Sequence, residues 1–128
     1  MTREQILELE AGPELDWLMA GKVMGWKRTT DGAPPGCAYW KDGDGFICAT
    51  EDPGGNLNWN PSRDIAAAWE VVEDRRRWGW TWKMTGMPGH WHVALYNEEF
   101  EFLSEARAAE LTVAICRAAL LAMMKGEK

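Results

Sequence analysis

Between residues 77 and 96 polar and apolar side chains alternate almost without a break. Trp78, Trp80, Trp82 and Met84 interleave with Arg77, Gly79, Thr81 and Lys83. Past Thr85, Gly86, Met87, Pro88 and Gly89 the alternation resumes, with Trp91, Val93 and Leu95 set against His90, His92, Ala94 and Tyr96. A period of two is the mark of a strand, so the stretch predicts two antiparallel strands joined by the Gly/Pro run. Facing residues of such a pair share a side of the sheet. Pairing Lys83 with His90, Thr81 with His92, Gly79 with Ala94 and Arg77 with Tyr96 collects the indoles on one face, which is expected in the core. The other face carries Arg77, Lys83, His90, His92 and Tyr96 around a gap at Gly79 and Ala94, and is the candidate working surface.

Helical periods flank this hairpin. Thr2 followed by Gln5 predicts a capping box at the start of a short helix. Gly12 and Pro13 mark a second start, with Glu14 and Asp16 at its positive end and Leu15, Leu18, Met19, Lys22 and Val23 at helical spacing up to Gly25. From Trp26 to Pro35 the chain reads as loop. Two short β-favouring runs, Cys37 to Trp40 and Phe46 to Thr50, then enclose Lys41 to Gly45 and predict a second hairpin. Residues 51 to 60 read as loop, and Asn60 or Ser62 is expected to cap a helix whose buried stripe is Ile65, Ala68, Trp69 and Val72, ending at Glu73 to Arg76. Phe100, Phe102 and Leu103 suggest a short further strand. Ser104 is expected to cap a last helix, apolar over much of its girth through Leu111, Ala114, Ile115, Ala118 and Ala122.

A chain of 128 residues predicts a single domain over 1–128, long enough to bury about two thirds of its unfolded surface. It is 46% hydrophobic and 27% charged, as soluble globular proteins are, but holds nine tryptophans. That excess has to be core or contact surface. The net charge of −6 lacks the basic footprint of a protein that binds bulk nucleic acid. A locally basic pocket for a small anion stays open, because Arg75, Arg76 and Arg77 are consecutive and Lys83 is near. Three cysteines, Cys37, Cys48 and Cys116, at no metal or redox spacing point to a reduced, cytoplasmic setting. The N-terminus reads polar, without the regions of a signal peptide, and the apolar run 106–124 is interrupted by Arg107, Glu110 and Arg117, so no membrane span is expected.

Three segments together resemble the phage ABA sandwich domain, a family of small phage-encoded proteins. They are Glu14 to Trp26, ending Lys-Val-Met-Gly-Trp; Pro61 to Glu73, reading Pro-Ser-Arg-Asp-Ile-Ala-Ala-Ala-Trp-Glu-Val-Val-Glu; and Ala114 to Leu121, reading Ala-Ile-Cys-Arg-Ala-Ala-Leu-Leu. The chain departs from the family pattern at Arg63 and Glu110. The resemblance implies an α+β fold, a central and mainly antiparallel sheet with helices on its faces in an α/β/α sandwich-like arrangement. It brings no catalytic residues.

No cofactor motif is present and none is expected. Asp42 and Asp44 suggest calcium, but Pro53 stands where an EF-hand loop needs its glutamate, so a tight turn is the better reading. His90 and His92 share a strand face and could meet one zinc ion, yet no third ligand is set by sequence; a zinc-dependent hydrolase is therefore a third, weaker reading. The leading reading is a non-enzymatic phage accessory protein that binds and sequesters a small anionic, nucleotide-like molecule, of the kind that serves as a host-defence signal. Arg77, Lys83, His92 and Tyr96 are the expected contacts, with Arg75 and Trp59 as further candidates and no catalytic or metal residue. Trp26, Trp40 and Trp59, in or beside loops, are available as stacking surfaces. The alternative is an interaction protein working through homo-oligomerisation or docking to a phage or host protein, which exposed aromatics serve equally well.

Overall fold

The computed structural model describes residues 1–126. The chain begins with α1 (Arg3–Leu7), where the capping box forms as expected: Thr2 Oγ1 accepts from the Gln5 amide and the Gln5 side chain accepts from the Thr2 amide. Pro13 opens α2 (Pro13–Leu18), which widens into a π-helical turn over Met19–Val23. Leu15, Met19 and Val23 are buried from it and Lys22 is not. Gly25, at φ 73°, ends the segment, a backbone state that costs any residue with a Cβ.

Two antiparallel sheets follow. In the first, β1 (Lys27–Thr29), β2 (Ala38–Lys41) and β3 (Ile47–Glu51) lie in that order. The hairpin from Ala38 to Glu51 is the one the sequence predicts, while β1 forms inside the stretch read as loop. Its anchor is Arg28, whose Nε and NH2 donate to the two carboxylate oxygens of Glu51 at 3.0 and 2.9 Å. Trp40 Nε1 donates to the same carboxylate at 3.0 Å. One buried acid thus ties all three strands together, and those bonds, Arg28 foremost, hold the Glu51 carboxyl below the usual carboxylate range.

The third helix, α3 (Ile65–Arg77), is capped by Asp64, whose Oδ1 accepts from the Ala66 amide. Neither Asn60 nor Ser62 caps it, because residues 61–63 form a turn first. The buried stripe is also rotated from expectation. Ala67, Ala68, Val71, Val72 and Arg75 face inward, whereas Ile65 and Trp69 are exposed. Small alanines let this helix lie close to its neighbour, and a tryptophan in that row would hold it away.

The second sheet holds β4 (Thr81–Met87), β5 (His90–Tyr96) and β6 (Phe102–Ala108) in sequence order. Its hairpin closes through Pro88 and Gly89 alone, with Met87 opposite His90, Thr85 opposite His92, Lys83 opposite Ala94 and Thr81 opposite Tyr96. The expected register is thus corrected by four residues. Pro88 fixes one turn residue and Gly89, at φ 80°, supplies the other, so two residues suffice where five were expected. A shift of four is even, so Trp82, Met84, Trp91, Val93 and Leu95 keep one face and Lys83, His90, His92 and Tyr96 the other. Arg77 belongs to neither, and Trp78 and Gly79 lie in the turn between α3 and β4.

Ser104 is a strand residue, not a cap. Its hydroxyl donates to the Ala118 carbonyl at 2.7 Å from the middle of β6. The last helix, α4 (Leu111–Gly126), starts one residue after Glu110, whose carbonyl accepts from the Ala114 amide. It lies across β5 and β6 and touches α1, the π-helical turn and α3. Alanines at 114, 118, 119 and 122 with Ile115, Leu120 and Leu121 make it the spine of the core, against Val93, Leu95 and Ala106. The core is therefore aliphatic, and of the tryptophans only Trp40 and Trp59 are fully within it.

Candidate functional site

The polar face of the second sheet is where most of the sequence candidates were expected. The observed register does collect three of them, because Lys83 lies opposite Ala94 and His92 and Tyr96 are the two neighbours of Ala94 on that face. No gap opens there, however. Ala94 is buried, and Glu105 pairs with it from β6. Glu105 Oε2 sits 3.2 Å from His92 Nε2, and Arg107 lies opposite His92. The result is a flat surface of mixed charge with a carboxylate at its centre. Such a surface offers an anion little net attraction.

The other three candidates lie elsewhere. Arg77 ends α3 and is exposed. Trp59 is buried, its Nε1 donating to Glu70 at 2.8 Å and its ring centroid 4.6 Å from that of Trp26. Neither it nor Trp40, which is also buried, is free to stack on a ligand. Arg75 is buried too, and paired with Asp74 through Nε and NH2 at 3.1 and 3.0 Å.

Arg75 nonetheless leads to the concave feature that best suits a ligand. Its guanidinium lies 4.5 Å from the Trp78 ring centroid and 5.5 Å from that of Trp80, distances at which a cation is attracted to an indole face. Together with Leu103, Ala122, Met123 and Lys125 these residues line a recess of about 340 Å³. That volume falls at the lower end of the range for small-molecule sites, roughly 300–1,000 Å³. Its floor is apolar, from β6 and α4. Its rim carries Lys125, whose Nζ donates to the Phe102 carbonyl at 2.8 Å. Because Asp74 neutralises Arg75, Lys125 supplies the net positive charge. A second recess of about 310 Å³, lined by Arg3, Phe102 and Leu121 among others, meets the first at Leu103 and Lys125.

Sequence reading missed this recess because its walls come from α3, the 78–80 turn, β6 and α4, which no single stretch brings together. The visible signal was three arginines running into two indoles. Reading Trp78 and Trp80 as strand residues hid it.

For metal or thiol chemistry the arrangement gives no support. Among the described residues no three His, Cys, Asp or Glu side chains are placed to hold one ion. The Asp42 to Gly45 segment is a tight turn in which Asp42 Oδ1 accepts from the Asp44 and Phe46 amides. Burial pushes the Cys116 thiol well above its ordinary value, and burial likewise raises that of Cys48.

The resemblance noted from three segments extends further when the whole chain is compared with known families. The family model described as the phage ABA sandwich domain matches residues 17–120, from α2 to the middle of α4. Comparison with curated proteins and with solved structures returns no match. Among the described residues no helix is long and apolar enough to cross a membrane. With both sheets and α3 wholly inside the matched span and parts of α2 and α4 within it, the chain belongs to the phage ABA sandwich domain family.

Proposed function

We propose that this protein is a non-enzymatic phage accessory protein that binds and sequesters a small anionic molecule bearing a flat ring, of the nucleotide type used as host-defence signals. One observation carries the reading: Trp78 and Trp80, with Arg75 packed against both and Lys125 at the rim, surround a recess of about 340 Å³. A flat heterocycle stacks on an indole by dispersion and desolvation, and a phosphate pairs with the ammonium of Lys125. Arg75 acts as a positioning residue, since its bonds to Asp74 fix the guanidinium that orients the Trp78 ring. We place the ligand here and not on the sheet face, where Lys83, His92 and Tyr96 surround the carboxylate of Glu105.

The test is calorimetric titration with a panel of mono-, di- and cyclic nucleotides, followed by chromatography of the recovered ligand. Binding of at least one member, its recovery intact, and roughly tenfold or greater weakening by Trp80→Ala are the expected results. Failure of every member to bind overturns the reading, and recovery of cleaved products makes the protein an enzyme. The exposure of Trp78, Phe100 and Phe102 favours a second reading, in which this end of the molecule docks a protein.

A further inference from the structure

The recess bounded by Trp78 and Trp80 has a neighbour, and one lysine stands between the two. On α4, Ala122 and Met123 line the indole side, Leu121 and Met124 line the Phe102 side, and Lys125 lines both. Helical geometry explains the division. At about 100° per residue, position 125 falls between 121 and 122 around the helix. Leu103 does the same from β6, where it borders both recesses. Taken singly, at about 340 and about 310 Å³, each lies at the lower end of the range for small-molecule sites. Joined, they reach its middle.

Each side has its own aromatic wall. Trp78 is 68% exposed, with the Arg75 guanidinium 4.5 Å from its ring centroid, and Phe102 is 48% exposed on the other side of the lysine. Lys125 Nζ lies 5.6 Å from the Phe102 ring centroid and donates to the Phe102 carbonyl at 2.8 Å. An ammonium has three donors, so two remain. Arg3 borders the second recess, and neither it nor Lys125 makes an ion pair among the described residues. Glu105 also borders that recess, but its Oε2 is engaged by His92 at 3.2 Å.

The order across the joined recess is therefore aromatic, cation, aromatic. A single ring with one phosphate uses the cation and one wall, and leaves the other wall in water. Two bases bridged through phosphate use all three, because each base has a π face to stack and the charge between them falls at the lysine.

We infer that the joined recess takes a dinucleotide, with one base against Trp78 and Trp80, the other against Phe102, and the bridging phosphate on Lys125. Arg3 adds positive charge on the Phe102 side. This inference rests on the ligand reading above and narrows it from nucleotides at large to those with two bases.

Calorimetric titration of the full chain with four probes is the experiment: AMP, the linear dinucleotide adenylyl-3′,5′-adenosine, cyclic di-AMP, and nicotinamide adenine dinucleotide. At least one of the three dinucleotides should bind one per chain and about tenfold or more tightly than AMP, since the second base joins as an intramolecular contact. Which linkage binds best distinguishes a linear, a cyclic or a pyrophosphate-bridged source. Phe102→Ala should cut the advantage of that dinucleotide over AMP about tenfold, as loss of one stacking wall does. Phe102→Leu, which keeps apolar bulk without the ring, should cut it as well. Lys125→Met should weaken the dinucleotide and flatten its dependence on salt. Circular dichroism melts confirm that each variant folds. AMP binding as tightly as every dinucleotide, or an advantage that survives both Phe102 changes, overturns the inference and leaves the single-ring reading standing. Failure of AMP and all three dinucleotides to bind overturns both.

Discussion

Asp16 is fully buried, yet it is a carboxylate, and its loss should be among the most damaging single changes outside the apolar core. Oδ1 accepts from the Ser62 amide at 2.9 Å and Oδ2 from Arg63 NH2 at 3.0 Å. Ser62 in turn accepts at Oγ from the Gly12 amide at 3.0 Å, and its carbonyl accepts from Thr112 Oγ1 at 2.9 Å. The node joins the start of α2, the turn before α3 and the first turn of α4. Asp16→Ala orphans a buried amide, at about 1–3 kcal/mol, and leaves a small void that adds roughly 1 kcal/mol. Arg63 is 41% exposed and rehydrates once freed, so it adds little. The sum is about 2–4 kcal/mol, a fall in Tm on the order of 10 °C for a chain of this length. Asp16→Asn keeps one acceptor for Ser62 but turns an amide donor toward a guanidinium donor, and should cost about 1–2 kcal/mol. Urea unfolding at pH 7, followed by tryptophan emission and circular dichroism, measures both. If Asp16→Ala costs less than ~0.5 kcal/mol, as ordinary surface changes do, the node does not hold these segments together.

The first sheet should be acid-sensitive through Glu51. Its carboxyl is held below the ordinary value of 4.5, so its contribution is complete above that value and is lost as pH falls through the lowered one. Glu51→Gln should therefore be less stable than the wild type at pH 7, with a gap that narrows below pH ~4 in melts across pH; a constant gap would refute this. Gly55→Ala should cost about 2 kcal/mol, because Gly55 sits at φ 84° and an added Cβ would lie 2.9 Å from Trp17 Cζ2. The Trp17 indole must then move and release its bond to the Gly55 carbonyl, now 2.8 Å. Calorimetry measures the loss, and an unchanged Tm would mean the loop yields freely.

Much of the fold could be read locally, and the reasons are particular. The α1 capping box needs only Thr2 and Gln5, and the start of α2 only Gly12 and Pro13. The facing of the hairpin residues survived an error of four in register, since period two is insensitive to even shifts. What failed needed a third element. Ser104 resembles a cap until Ala118 is seen to accept its hydroxyl, and Ile65 and Trp69 resemble a core stripe until α4 selects the alanine side of α3. The departure from the family pattern at Arg63 also gained a cause, because it is the partner of a buried acid 47 positions away.

The amino-acid sequence by itself settled the class of fold, the family, the second hairpin and the two faces of the first, because each depends on period or on neighbours a few residues apart. Only the tertiary structure decided where cation and indole meet. Arg75 leaves α3 buried beneath Trp78 and Trp80, and Lys125 arrives from the far end of the chain, so the recess exists only where α4 crosses β6 beside the end of α3. Local pattern fixes the direction in which a side chain points along its own strand or helix, whereas concave sites are made by packing, which joins residues that the chain keeps far apart.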